Sequence, residues 1–121
     1  MTPEQQKGTK MGSTRIPKKY GKKFDNWISV VCRVFMVQPE ELFWETRGSQ
    51  RTAWARHLMY ALILREVRSA TETASIFNRT HATVLYGVRV LKERCKSDKK
   101  IRELVGEVGR ETGIQMFKSE I

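Results

Sequence analysis

The sequence predicts an all-α protein of about six helices. Three observations carry this prediction. Apolar residues recur at helical spacing from about residue 25 onward. Capping residues stand directly before several of those runs, notably Ser69 with Glu72, and Thr80 before His81. No segment reads as a convincing strand, and no internal repeat or low-complexity tract interrupts the pattern.

The elements can be justified in order. Residues 1–23 carry Lys7, Lys10, Arg15, Lys18, Lys19, Lys22 and Lys23 against one acid, Glu4, with Gly8, Gly12 and Gly21 among them. Almost nothing there can build a core, so residues 1–23 read as a flexible basic arm and residues 24–121 as the helical domain. Asp25 is a good N-cap, and Ile28, Val31, Val34 and Phe35 form an apolar stripe ending near Val37. Pro39, Glu40 and Glu41 open a short second helix. The proline suits a first turn, and the acids suit its positive dipole end.

Gly48 and Ser49 break the pattern, and a long helix from Gln50 to Val67 follows. It is apolar nearly all round through Leu58, Met59, Ala61, Leu62, Ile63 and Leu64, which makes it the central helix. Ser69 and Glu72 form a capping box for a short helix that ends at Phe77 or Asn78. Thr80 caps the next helix, His81 to Lys96, with Val84, Gly87, Val88, Leu91 and Cys95 as its buried stripe. Ser97 and Asp98 cap a last helix with Ile101, Leu104, Val105 and Val108 on one face. Gly106, Gly109 and Gly113 weaken that helix, which should fray past Gly113.

The bulk numbers narrow the function. The chain has 121 residues, of which 40% are hydrophobic, enough for one domain with a real core. Its 23 lysines and arginines against 13 acids give +10 net charge. Such an excess points to a polyanion, either nucleic acid or an acidic membrane surface. Cys32 and Cys95 lie apart in apolar patterns and form no CxxC pair, as expected of buried reduced thiols in the cytosol. No apolar stretch has the length of a signal-peptide core or a membrane span.

An enzyme is not expected. There is no phosphate loop, no GxGxxG and no nucleophile elbow. His57 and His81 fall on different helices and, with two separate cysteines, make no zinc-site spacing. Neither a cofactor nor a small-molecule substrate is therefore expected.

The binding pattern is sharper. Ile76 to Tyr86 reads as a short helix, a tight turn, and a second helix opening with small polar side chains. A helix-turn-helix reader needs that layout, because the first turn of its second helix enters the major groove. His81 can hydrogen-bond a base edge or a phosphate, Thr83 can do either, and the Ala82 methyl can touch a thymine methyl. Arg79 and Thr80, in the turn, complete this group, with Arg79 placed to pair with a phosphate. Arg47, Gly48, Ser49, Gln50 and Arg51 form a basic polar loop entering a helix N-terminus, suited to a phosphate backbone or a minor groove. Arg47, Gln50, Arg51 and Arg56 are thus expected on backbone or minor groove. Lys18, Lys19, Lys22 and Lys23 are expected to add non-specific attraction.

These residues resemble a known family. Arg79-Thr80-His81-Ala82-Thr83-Val84 is similar to the Arg-Asp-His-[Ser/Thr]-Thr-Val motif of the C-terminal DNA-binding domain of the chromosomal replication initiator DnaA. Ala55 to Leu62 resembles that domain's Arg-Gln-(x)-Ala-Met-Tyr-Leu run, and Ala70 to Phe77 its first helix-turn-helix helix. The similarity covers about residues 25–110.

The resemblance implies a Trp-repressor-like helical domain that binds an asymmetric duplex site as a monomer. It implies base reading at Thr80, His81 and Thr83, and a minor-groove side chain from the basic loop. Thr80 stands where the family has aspartate, Ala82 where it has Ser or Thr, Asn78 where it usually has two glycines, and Gln50 beside Arg51 where it has the minor-groove arginine. The initiator's ATPase module is not in this sequence, so no ATPase activity is expected, while the initial Met and the basic arm suit a small stand-alone protein rather than a fragment.

The expected function is sequence-specific binding of double-stranded DNA, in replication initiation or transcriptional control, by a cytoplasmic, nucleoid-associated protein. One rival is an RNA or general polyanion binder. Another is a protein- or membrane-surface module using Trp27, Ile28 and Phe35 beneath the basic arm.

Overall fold

Five α-helices and one 3-10 helix make up the described residues, 21–43 and 48–115, of the computed structural model. In chain order they are α1 (Gly21–Phe35), the 3-10 helix (Pro39–Phe43), α2 (Gln50–Val67), α3 (Ala70–Ile76), α4 (His81–Ser97) and α5 (Lys99–Thr112). The described residues contain no strand. The six expected helices are all present in order, the second as 3-10 rather than α.

α1 begins at Gly21, a turn before the expected start at Asp25. The cause is tertiary. Phe24 is fully buried in the hydrophobic core, so the turn that carries it is drawn into the helix. Lys22 and Lys23 are therefore helical and not part of an arm. Lys22 is exposed, while Lys23 Nζ donates to Glu66 of α2 at 2.9 Å. Residues 1–20, with Lys18 and Lys19, lie outside the described residues.

Trp27, Ile28 and Phe35 face the core, which leaves them no role as a surface-docking stripe. α1 packs on α2 and α5, and the Arg33–Glu111 ion pair ties its outer side to α5.

α2 is the central helix, with Leu58, Met59 and Leu62 fully buried. Ser49 caps it, its Oγ accepting from the Thr52 N–H at 3.1 Å. Ser69 caps α3 in the same way through the Glu72 N–H at 3.0 Å. Asp98 alone caps α5, its Oδ1 accepting from the Lys100 and Ile101 N–H groups, while Ser97 is the last residue of α4. α5 stops at Thr112 with Gly113 in the left-handed conformation, φ +77°, the region that favours glycine.

Candidate nucleic-acid interface

α3 and α4 are joined by four residues, Phe77 to Thr80. The end of α3 is closed by a Schellman pair. The Arg79 N–H donates to the Ala74 carbonyl at 2.9 Å, and the Asn78 N–H donates to that of Ser75 at 3.2 Å. Asn78 takes the left-handed position, φ +57°. Asparagine tolerates it better than most residues besides glycine, and this explains how the turn closes without a glycine. Thr80 then caps α4, its Oγ1 accepting from the Thr83 N–H at 3.2 Å.

The buried side of α4 is set by Val84, Leu91 and Cys95, with Gly87 against α2. Val88 is only half-buried. His81, Ala82 and Thr83 are exposed in the first turn. Thr83 Oγ1 lies 3.1 Å from Thr80 Oγ1, so the two hydroxyls share one hydrogen bond at the helix entrance.

Arg79 is half-buried. Its Nη1 donates to the Phe77 carbonyl at 3.3 Å, and its guanidinium also hydrogen-bonds the Tyr60 phenol. It braces the turn as well as charging it. Burial pushes the Tyr60 phenol up, against the opposing pull of the Arg79 and Arg56 charges.

Between α2 and α4 lies an open groove of about 400 Å³, lined among others by Gln50, Trp54, His57, Arg79, Thr83 and Tyr86. Gln50 and Arg51, the first residues of α2, are exposed and follow Gly48 at φ +73°. Gln50, Arg79 and Thr83 thus line one groove, and Arg51 is not among its lining residues. Arg47 lies outside the described residues.

Arg56 also lines this groove, but as a buried wall residue. It is 5% exposed, and it donates through Nε to the Leu42 carbonyl at 2.9 Å and through Nη2 to the Glu41 carbonyl at 2.6 Å. It pins the 3-10 helix onto α2. Desolvation by burial pulls its pKa below the usual arginine value. These bonds give Arg56 a structural role that the expectation of a backbone or minor-groove contact did not include.

Three residues not anticipated from the sequence continue the exposed side of α4. Leu85 and Tyr86 are 48% and 57% exposed, the Arg89 guanidinium lies over the Tyr86 ring at 5.5 Å, and Arg89 is itself exposed. Their spacing from Ala82, i+3, i+4 and i+7, was the available signal.

Both cysteines are buried, and burial raises both thiols, Cys32 to about 11. Among the described residues no three His, Cys, Asp or Glu side chains cluster as a metal site, and no helix is long and apolar enough to cross a membrane. No protein-family model, curated protein or solved structure gave a match to this chain.

Proposed function

We propose that the chain binds double-stranded DNA sequence-specifically, using α3 and α4 as a helix-turn-helix. The observation that carries this reading is the exposure of His81, Ala82 and Thr83 at the open first turn of a 17-residue helix, in a chain of net charge +10. A helix presented in this way has the diameter and the side chains to enter a major groove. Gln50 and Arg51 open α2, Gln50 lining one groove with Arg79 and Thr83, and a phosphate at that helix N-terminus would gain from the helix dipole. The likeness of residues 79–84 to the initiator's DNA-binding motif supports the same reading, with binding as a monomer and an output in replication or transcription control.

The test is selection of bound duplexes from a random library, followed by competition with a scrambled duplex of equal length at fixed salt. The proposal expects the selected duplex to win by at least about a thousandfold in affinity, the lower end for specific readers. Equal competition by scrambled duplex would reduce the protein to a general polyanion binder. Stronger competition by RNA would move the partner to RNA.

A further inference from the structure

We infer that Arg89 is a backbone-phosphate contact at the far wall of the major groove, and that Tyr86 is the residue that positions it. This rests on the DNA-binding reading above. Ala82, Leu85, Tyr86 and Arg89 recur at i, i+3, i+4 and i+7, so they lie along one face of α4, and all four are exposed. A helix rises about 1.5 Å per residue, which puts Arg89 roughly 12 Å along the axis from His81. The major groove is about 12 Å wide. With the first turn of α4 seated on base edges, Arg89 is past those edges and level with the bordering phosphates.

The arginine is also free of acids. It belongs to no ion pair among the described residues, whereas Lys23, Arg33, Lys96, Lys99 and Arg110 each hold a carboxylate. Its guanidinium is instead stacked 5.5 Å from the Tyr86 ring centroid. A ring beneath a guanidinium narrows its conformations while leaving its N–H groups outward for a phosphate, so less side-chain entropy is lost on docking. This accounts for a tyrosine left 57% exposed on a helix whose other side is core.

The experiment measures affinity against salt for the full chain and for Arg89→Gln, Tyr86→Leu, Tyr86→Phe and the Arg89→Gln/Tyr86→Leu double variant, each on the selected duplex and on a scrambled one. Removing one phosphate contact flattens the slope of log K against log salt by about 0.9. Arg89→Gln should do so and weaken both duplexes by the same factor. Tyr86→Leu should show a smaller version of the same loss, Tyr86→Phe should show none, and the double variant should be no worse than Arg89→Gln alone. Melting temperatures should stay with the parent, since both side chains are exposed.

An unchanged slope for Arg89→Gln overturns the phosphate contact. A loss confined to the selected duplex also overturns it, making Arg89 a base reader. Equal behaviour of Tyr86→Leu and Tyr86→Phe overturns the positioning role. Failure of the parent chain to bind either duplex would instead sink the DNA-binding reading itself.

Discussion

Gly87 approaches His57 so closely that a Cβ on Gly87 would lie 2.8 Å from the imidazole Cδ2, with Tyr60 Cδ2 at 2.9 Å on the other side. α4 crosses the central helix at this point, and only the absent side chain lets it. Neither ring can withdraw easily. Tyr60 is 1% exposed and meets Phe77 edge-on at 4.9 Å, while His57 sits edge-on to Trp54 at 5.7 Å. Alanine improves helix propensity by about 1 kcal/mol, but overpacking of a tight contact costs roughly 1–3 kcal/mol. Gly87→Ala should therefore destabilise the fold in urea denaturation and lower DNA affinity by displacing α4. A gain in stability would show that the crossing has room.

Arg56 gives a prediction of the opposite kind from its neighbours on the groove. Removing it leaves the Leu42 and Glu41 carbonyls without their charged donor. Arg56→Ala should cost about 2–3 kcal/mol. Arg56→Lys should recover little, because an ammonium cannot span two carbonyls with the same fork. In variants still folded, the salt dependence of DNA binding should match the parent. A flattened salt slope with full stability would put Arg56 back on the DNA.

The thiols predict a pH effect. Cys32 is raised from 9.0 to about 11 by burial and then by the Glu41 and Glu40 charges. A thiol held protonated by the fold contributes stability below its unfolded pKa and loses that contribution as pH rises through the folded one. Through Cys32, stability should not vary with pH near neutrality and should fall between about pH 9 and 11, less so in Cys32→Ala. Labelling by an aromatic disulfide reagent at pH 8 should be slow for the native protein and fast in denaturant. Rapid native labelling would contradict the burial of both cysteines.

Residues 1–20 contain Lys7, Lys10, Arg15, Lys18 and Lys19 with only Glu4 opposing. Each phosphate neutralised contributes about −0.9 to the salt slope. Deleting residues 1–20 should flatten that slope by a few units. Affinity for selected and scrambled duplex should fall by similar factors, because phosphate contacts carry little sequence information. Thermal stability should barely move. An unchanged slope would show that the segment does not touch DNA.

The parts of the fold that rest on local rules were legible in the residues. Ser69 and Thr80 cap the helices they precede, and Gly113 ends the last one. The apolar girdle of α2 correctly made it central. What escaped was set by tertiary contact. Asp25 offered a good cap, but burial of Phe24 in the core outweighed it and moved the helix start.

Arg56 was placed on the surface by its charge, although a helix apolar all round leaves no solvated face at that position. Its neighbours Ala55 and Leu58 are both fully buried. The exposed turn at His81 to Thr83 could be read from the cap and the buried stripe. The Tyr86–Arg89 stack could not, since it depends on rotamers.

The central claim is that the first turn of α4 reads base edges, and His81 tests it most directly. It is exposed, and it lies outside the buried stripe. His81→Ala should leave the melting temperature unchanged. It should weaken binding to the selected duplex by about 1–3 kcal/mol, roughly five- to 150-fold, and scrambled duplex far less. Equal losses on the two duplexes, or no loss on either, would contradict the account.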